Sequence, residues 1–222
     1  MAGAARHEFW PLFDLVVRTP RLELRLPRDE DFPELIAVID RGIHDPETMP
    51  FSVPWTDAPP AQRATGAAQH WWAQRALWSA DNWNFNAAVI VAGHAVGIQA
   101  LLARQFAAVR SVETASWLGL EYQGQGLGRE MREAMLHLAF AGLGALEALS
   151  GAFEDNAASL ATSRAVGYEE NGEALGVRRG EAGRQMRFRL GREAWEQRRR
   201  DDIEIVGLEL CLPMFVGPTP AD

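Results

Sequence analysis

The sequence predicts a single α+β domain built around a mixed, mostly antiparallel sheet. Its 222 residues suffice for one domain with a sizeable core, and the 47% hydrophobic and 23% charged residues are those of an ordinary globular protein. Strand-like and helix-like patterns alternate along the chain, without an internal repeat, a low-complexity stretch or a domain boundary. We therefore treat residues 1–222 as one domain, with residues 1–20 as an N-terminal arm and residues 192–222 as a C-terminal helix and tail.

The first half of the chain predicts a strand, two helices and a proline-rich loop. Residues 21–26 alternate charged and apolar side chains with a period of two, which predicts a half-buried strand, and a helix is expected after it. Residues 42–60 are rich in proline, so they form either a wall or lid over a cleft or a packed surface loop. Residues 62–79 predict a helix with Trp71 and Trp78 on one face, which is more typical of a core than of a ligand cage.

The second half predicts two hairpins separated by strand–helix units. Residues 85–91 and 94–102 are apolar runs joined at Ala92-Gly93, a hairpin signal. The other predicted elements are strands over residues 114–120 and 146–151, helices over 128–141 and 154–166, a hairpin of 168–175 with 184–190, and a polar helix over 191–201. The tail at residues 202–222 carries an apolar patch that must pack somewhere.

Composition excludes several classes of function. The formal net charge of −8 argues against a general nucleic-acid or anionic-membrane surface. All 22 basic residues are arginine, which excludes a catalytic lysine and the Gly-Lys-Ser/Thr phosphate loop of NTPases. The single cysteine, Cys211, cannot form an internal disulfide, and neither a signal peptide nor a membrane-spanning run is apparent. We therefore expect a soluble, cytoplasmic protein that binds neither nucleic acid nor a membrane.

The most informative stretch lies at residues 114–131, where a predicted strand passes through three glycines into a helix. Gly124, Gly126 and Gly128 are spaced by two. Unpaired amides at a helix N-terminus, together with the helix dipole, favour a bound anion there. The alternative is a turn that only lets strand and helix pack closely. A dinucleotide-binding turn is disfavoured, because Arg129 stands where a third glycine is required and an antiparallel hairpin precedes the turn.

Taken with its flanking strand and helix, the pattern Gln-x-x-Gly-x-Gly at residues 123–128 resembles the acyl-CoA-binding motif of the GNAT N-acyltransferases. The resemblance extends over residues 22–190. The sequence of residues 117–126 and the Asn-x-x-Ser motif at residues 156–159 are similar to those of the ribosomal-protein N-acetyltransferase branch of that family. The Gly-Tyr pair at residues 167–168 fits the same pattern.

This resemblance implies a GNAT fold, in which a mixed, mostly antiparallel twisted sheet is flanked by helices and an acyl-CoA lies in a cleft between two splayed strands. Acetyl-CoA or another acyl-CoA is then the co-substrate, and no metal is implied. Amides of the glycine turn can donate to the CoA pyrophosphate without any lysine. The implied cofactor-binding residues are Leu118, Gln123, Gly124, Gln125, Gly126, Leu127, Gly128, Arg129, Asn156 and Ser159.

The implied reaction is attack of a neutral primary amine, from a protein N-terminus or a small molecule, on the thioester carbonyl. The resemblance sets the backbone of Leu118 against the thioester and Asn156 on the pantetheine arm, and a donor to the carbonyl oxygen stabilises the tetrahedral intermediate. Ser159 is the candidate proton donor to the sulfur, although a hydroxyl bound only to its own helix fits equally well. Tyr168 is the other candidate acid. Acetyl transfer is expected, and succinyl transfer is the alternative.

The sequence does not identify the general base. Some relatives carry a glutamate in the final hairpin, and Arg178 occupies the position that matches it by spacing. A water chain to bulk solvent is one remaining candidate. The other candidates are Glu113, Glu154, Asp155 and His70. The predicted catalytic residues are therefore Ser159 and Leu118.

We expect the acceptor pocket between the proline-rich loop, the tryptophan-rich helix and the last hairpin. Its predicted lining is Phe51, Trp55 and Trp83. Three arginines near the hairpin would suit an acidic acceptor or a carboxylated acyl group, or they belong to a solvated hairpin tip. These arginines are Arg178, Arg179 and Arg184.

Two other functions remain open at this point. A GNAT-fold protein that binds CoA or another ligand as a sensor, without turnover, would explain the missing base. A structural interaction protein would use the aromatic N-terminal arm and the apolar tail at residues 203–216 as an interface. The same segments would suit a homodimer of the enzyme, which is the assembly we expect.

Overall fold

The computed structural model describes residues 7–217, which form one continuous nine-stranded sheet flanked by helices. The strands are β1 (Val16–Arg18), β2 (Glu23–Arg25), β3 (Asn82–Val91), β4 (His94–Arg104), β5 (Ser111–Leu118), β6 (Glu147–Phe153), β7 (Glu169–Arg178), β8 (Glu181–Gly191) and β9 (Glu204–Val206). The helices are α1 (Phe32–Arg41), α2 (Pro60–Ala76), α3 (Phe106–Val109), α4 (Leu127–His137), α5 (Ala157–Ala165), α6 (Arg192–Glu196) and α7 (Leu208–Val216).

The sheet has the strand order β7-β8-β6-β5-β4-β3-β2-β1-β9. Every neighbouring pair is antiparallel except β5 and β6, which are parallel and are connected through α4. The predicted mixed, mostly antiparallel α+β architecture is therefore confirmed. Among the described residues, no helix is both long enough and apolar enough to cross a bilayer.

The first hairpin forms where the sequence predicts it. Val91 pairs with His94 across the two-residue turn Ala92-Gly93. Both turn residues have positive φ, 50° for Ala92 and 87° for Gly93, as a turn that follows the right-handed twist of the strands requires. The hairpin supplies the two longest central strands and thereby fixes the register of the sheet around the candidate site.

Side chains alternate between the two faces of the sheet, and each face packs on its own helices. On one face, buried side chains of β3 to β6 pack with α4, as Leu118 does with Leu127 and Met131. On the other face, α1 and α2 pack over β3 and β4, with Trp71 near Ala88 and Ile98. On this second face, α1 and α2 do not extend over strands β5 and β6. Exposed residues there are Glu113, Ala115 and Gly151.

The described part of the N-terminal arm and the tail close the opposite edge of the sheet. Strand β1 lies between β2 and β9, so the two ends of the chain pair with each other. Leu12 and Leu15 of the arm and Cys211 and Phe215 of α7 are completely buried. Most of the apolar patch of the tail thus packs in the chain's own core, whereas Leu210 is exposed, and an interface formed by the arm and the tail stays a prediction. The remaining residues of both segments, 1–6 and 218–222, lie outside the described range.

Two helix predictions are wrong in extent. Helix α2 ends at Ala76, so Trp78 lies beyond it and does not share a face with Trp71. The two indoles pack in different places, Trp71 against Phe32 and Trp78 stacked on Trp83. Helix α6 is only five residues long and ends at Glu196, before the run of charged residues that the sequence pattern included.

Candidate functional site

Strands β5 and β6 separate into a gap with a closed and an open end. They pair over three residues only, from Ser111 with Glu147 to Glu113 with Leu149. Beyond this point β5 continues to Leu118 paired with β4, and β6 continues to Phe153 paired with β8. The carboxyl ends of the two strands therefore diverge and leave unpaired backbone on both walls of the gap.

Arg132 of α4 bridges this gap. Its Nη2 donates to Ser116 Oγ on β5 at 3.0 Å and its Nη1 donates to Ser150 Oγ on β6 at 3.3 Å. The residue is 3% exposed, and among the described residues no carboxylate pairs with it. Burial lowers the pKa of its guanidinium, an effect that the nearby Tyr168 opposes. Sequence analysis missed Arg132, although a charged residue beside the apolar face of a helix was a usable signal.

The glycine turn lies at the open end of the gap. Gly124 and Gly126 have φ of 73° and 78°, a conformation that favours glycine, and α4 begins at Leu127. Gly128 has no such φ, so this third glycine is not required by backbone conformation. Within residues 7–217, the amides of residues 124–129 donate to no protein acceptor, and the first helical bond runs from Glu130 N–H to Gly126. Six free amides at a helix N-terminus form a cradle for an anion.

Gln123 fastens the turn to its surroundings. Its side-chain Nε2 donates to the carbonyl of Leu118 and to the carbonyl of Ile43, both at 2.9 Å. Leu118 is thus held at the end of β5, and its side chain is buried under the turn. The Gln123 amide group is therefore occupied within the protein. Its contribution to a ligand site is the geometry it imposes on the turn.

A second fastening comes from Arg21, in the connection between β1 and β2. Its Nη1 donates to the carbonyl of Gln125 at 3.0 Å, and its Nε donates to Glu130 Oε2 at 2.6 Å. Thr19 Oγ1 also donates to Glu130, which is 5% exposed. Arg129, in contrast, pairs with Glu133 on the exposed side of α4. Sequence analysis missed Arg21, because only the folded sheet brings it to the turn.

Helix α5 presents Asn156 and Ser159 at the same edge of the sheet. Both α4 and α5 follow the carboxyl ends of parallel strands, so their N-termini lie side by side. Asn156 Oδ1 caps α5 by accepting the N–H of Ser159 at 3.2 Å. Among the described residues, the half-buried Ser159 hydroxyl makes no hydrogen bond. The sequence alternative, a hydroxyl bound to its own helix, is therefore not what the structure has.

Tyr168, the other candidate acid, lies at the closed end of the gap. Its hydroxyl is 3.1 Å from Thr114 Oγ1, and the side chain is buried. Burial raises the pKa of its hydroxyl, although the neighbouring Arg132 opposes that shift. Tyr168 belongs to the polar interior beside Arg132 rather than to the open end of the gap.

The proline-rich loop reaches the site through its aromatic side chains. The rings of Phe51 and Trp55 are 5.5 Å apart, and the ring of Trp55 is 6.4 Å from that of Trp117 on β5. The loop is tied to the last hairpin, since Arg178 donates to the carbonyl of Met49 at 3.0 Å. The loop therefore forms a fixed wall beside the open face of β5.

Trp83 is not part of this wall, which corrects the prediction. It is 2% exposed and its Nε1 donates to the carbonyl of Phe215 at 3.0 Å. It is the second residue of β3, opposite Ala103, and packs with Phe85 on the α4 face of the sheet, whereas Phe51 and Trp55 pack on the other face. An indole with a buried donor and a backbone acceptor is a core group, and sequence alone could not show which face of β3 carries the site.

The three hairpin arginines are engaged by acids of the same chain. Arg178 pairs with Asp155, Arg179 pairs with Asp57, and Arg184 lies 3.5 Å from Glu173 and 3.8 Å from Glu154. The hydrogen bonds from arginine lower the pKa of Asp155 and of Asp57. These arginines are thus not available to an acidic substrate, and Asp155 is poorly suited to be a base.

His70 lies on α2 near Asn86 of β3, and its side chain is exposed. Desolvation by neighbouring groups lowers the pKa of its imidazole, an effect that Asn86 opposes only in part. Asn86 Nδ2 is buried and, among the described residues, has no hydrogen-bond partner.

The comparisons with known proteins agree with this geometry. Residues 21–169 match a sequence model of the family described as "Acetyltransferase (GNAT) domain". The chain belongs to the GNAT acetyltransferases. Both the recognised family and the GNAT fold that the glycine motif implied are therefore confirmed.

Three solved structures illustrate the shared GNAT fold. Mycobacterium smegmatis RimJ in complex with CoA-disulfide has a TM-score of 0.71 and 17% identity, covering 91% of this chain and 95% of that one. RimL, a ribosomal L7/L12 alpha-N-protein acetyltransferase in complex with coenzyme A, has a TM-score of 0.61 and 15% identity, covering 81% and 99%. The microcin C7 self-immunity acetyltransferase MccE, with acetyl-CoA and AMP, has a TM-score of 0.60 and 14% identity, covering 78% and 93%.

Proposed function

We propose that this GNAT acetyltransferase is an acyl-CoA-dependent N-acyltransferase that uses acetyl-CoA and acylates a primary amine. The observation that carries the proposal is the row of six free amides at residues 124–129, at the open end of the gap between β5 and β6. These amides are the donors for the CoA pyrophosphate. The pantetheine arm lies in the gap, where both strands offer unpaired backbone.

Each predicted cofactor-binding residue has a role in this proposal. The amides of Gly124 to Arg129 bind the pyrophosphate, and Gln123 holds their geometry. Since the oxygen of Asn156 is used as a helix cap, its Nδ2 is the group that reaches the pantetheine. The end of β5 at Leu118 directs a backbone donor to the thioester carbonyl oxygen.

The chemical step is direct transfer. The amine nitrogen forms a bond to the thioester carbon, the tetrahedral intermediate collapses, and the carbon–sulfur bond breaks. The Ser159 hydroxyl delivers a proton to the departing thiolate and regains one from the attacking nitrogen, which loses its extra proton as the amide forms, directly or through water. The ammonium proton of the acceptor leaves earlier, because only the neutral amine is a nucleophile.

We assign that earlier proton to a chain of water molecules leading to bulk solvent. Of the four candidate bases, Asp155 is bound by Arg178 and Glu154 lies near Arg184. Glu113 is exposed on the open face. His70 is exposed on α2, and its lowered imidazole pKa makes it a weaker base than a free histidine.

The acceptor approaches over the uncovered face of β5, beside Phe51 and Trp55. We propose that it carries a primary amine belonging to a protein N-terminus or to a small molecule. RimL is named for a ribosomal-protein α-amine, whereas MccE is complexed with AMP. A protein N-terminus is thus the named acceptor of one protein with this fold, and a small molecule is bound beside acetyl-CoA in another. The expected cytoplasmic location and homodimer remain predictions, and light scattering tests the latter.

The proposed activity is tested by following thiol release with a thiol reagent. The wild-type protein is mixed with acetyl-CoA, or with succinyl-CoA, and a panel of primary amines and N-terminal peptides. We expect amine-dependent thiol release and a saturable calorimetric titration with the donor. Donor binding without thiol release from any amine would favour the sensor function. Absence of both heat and thermal shift with either donor would contradict the proposal.

A further inference from the structure

Arg187 differs from the other arginines of the last hairpin. Four of the five, Arg178, Arg179, Arg184 and Arg189, each lie within ion-pair distance of an acidic side chain of this chain. Within residues 7–217, Arg187 has no acidic partner and no hydrogen bond, and it is exposed. Its charge is therefore available to a ligand.

The residue opposite Arg187 is a glycine, and this leaves room for the guanidinium. Gly151 of β6 pairs directly with Arg187 of β8. A Cβ at Gly151 would lie 3.2 Å from Arg187 Nη1 and 3.5 Å from Cδ, so the arginine side chain extends across β6 over the glycine. Gly151 has no positive φ, and its backbone does not require glycine. Space for Arg187 is the feature that glycine supplies here.

This position is at the rim of the acyl-CoA gap. Glu113 pairs with Leu149, so two residues farther along each strand Ala115 and Gly151 lie on opposite walls of the gap. Both are exposed on the face that also carries Trp117. Trp117 is two residues beyond Ala115, a separation of about 7 Å along the strand. An arginine that crosses β6 at this level is thus close to the proposed reaction centre and on the acceptor side.

We propose that Arg187 and Gly151 form a carboxylate-binding subsite that selects a carboxylated substrate. The proposal rests on the proposed N-acyltransferase function and names its substrate class. The Arg187 guanidinium, beside the small residues Ala115 and Gly151, can donate charge-assisted hydrogen bonds to a carboxylate, which a neutral substrate lacks. The carboxylate comes either from the acyl group, as in succinyl-CoA, or from the acceptor, as in an α-amino acid.

The test compares four variants over two matched substrate pairs. The donors are acetyl-CoA and succinyl-CoA, and the acceptors are an amino acid and its carboxamide, with kcat/KM measured for each combination. The variants are R187A, G151A, R184A and G191A. In G151A the new methyl group displaces the guanidinium, whereas Gly191 has open space at its Cβ and Arg184 lies in the same strand with acidic partners.

We expect R187A to lower kcat/KM about 10-fold for the carboxylated substrate of one pair. The kcat/KM for the neutral substrate of that pair should stay unchanged. G151A should give a smaller loss of the same selectivity, and R184A and G191A should give none. If R187A loses the preference for succinyl-CoA over acetyl-CoA, the bound carboxylate belongs to the acyl group. If it loses the preference for the amino acid over its carboxamide, the carboxylate belongs to the amine substrate.

Equal effects of R187A on charged and neutral substrates, or no effect on any, would overturn this inference while leaving the N-acyltransferase function intact. Absence of turnover in the wild-type protein would instead overturn the proposed function, and this inference with it. Because Arg187 is exposed, its replacement by alanine is not expected to prevent folding.

Discussion

Arg21 and Glu130 form an ion pair that joins the β1–β2 connection to the first turn of α4. Arg21 Nε lies 2.6 Å from Glu130 Oε2, and the carboxylate is nearly inaccessible to solvent. The same guanidinium donates to the carbonyl of Gln125 within the glycine turn. The proposed CoA cradle is therefore held by a residue more than 100 positions away in sequence. Loss of Arg21 should thus affect both the stability of the fold and the binding of the donor.

This pair predicts an acid-dependent loss of stability. Burial alone would raise the pKa of Glu130, but hydrogen bonds from Thr19 and Arg21 outweigh it, and the pKa lies below its usual value. A depressed pKa stabilises the fold above the unfolded value of about 4.3, and that contribution is lost as pH falls through the folded value. We expect E130Q to lower Tm at pH 7 and to flatten the decline of Tm between about pH 5 and pH 3. The exposed-site variant E209Q is the control, and parallel pH profiles for E130Q and wild type would contradict this.

A comparison of G126A with G93A distinguishes the loss of stability caused by backbone strain from a loss of acetyl-CoA affinity. Replacement by alanine at φ 78° costs about 1 kcal/mol and moves the amides of the cradle. G93A places the same residue at φ 87° in the β3–β4 turn, away from the site. We expect similar decreases in Tm for both variants but a roughly 10-fold weaker acetyl-CoA affinity for G126A alone, measured by calorimetry. Equal affinities in the two variants would contradict the role of the turn.

Arg132 is predicted to set the width of the gap. Replacement of a buried charge by an apolar side chain of similar length is often neutral for stability, so R132M should keep a Tm within a few degrees of wild type. It should also raise the KM for acetyl-CoA about 3-fold or more, because Ser116 and Ser150 lose their common donor. R200M, at an arginine that pairs with Glu133 and Asp202 outside the gap, is the control. An unchanged KM in R132M would show that the bridge does not matter for the donor.

Ser159 is predicted to act on kcat rather than on binding. Its hydroxyl has no hydrogen bond within residues 7–217, so S159A costs little stability. General-acid assistance contributes about 100-fold or more where it operates, and a partial replacement by water would leave at least a 10-fold decrease in kcat. T162A is the matched control, because Thr162 Oγ1 donates to the carbonyl of Ala158 on the same helix. A kcat for S159A equal to that of T162A would remove Ser159 from the mechanism.

The sequence was sufficient for those parts of the fold that are local. The Ala92-Gly93 turn and the glycine turn at residues 124–128 have short-range signals, and both lie where predicted. The strand–helix order around them carried the family resemblance. Asn156 could likewise be recognised as a helix cap from the residues that follow it.

The rest depended on contacts between distant segments. Strands β1 and β9 are three residues each, too short for a periodic pattern, and their pairing joins the two ends of the chain. Trp83 was misassigned because burial at one end of β3 follows from α7, which is more than 120 residues later. The acidic partners of the hairpin arginines could not be predicted because they are distant in sequence. Arg21 likewise reaches the turn only through tertiary structure.

The most direct test of the central claim is a ¹⁵N–¹H correlation titration with acetyl-CoA. We expect large, saturable shifts of the amide resonances of Gly124 to Arg129, whose N–H groups have no acceptor within residues 7–217, and little change at Gly93. Saturable donor binding that leaves the resonances of residues 124–129 unshifted would contradict the assignment of the glycine turn as the CoA pyrophosphate site.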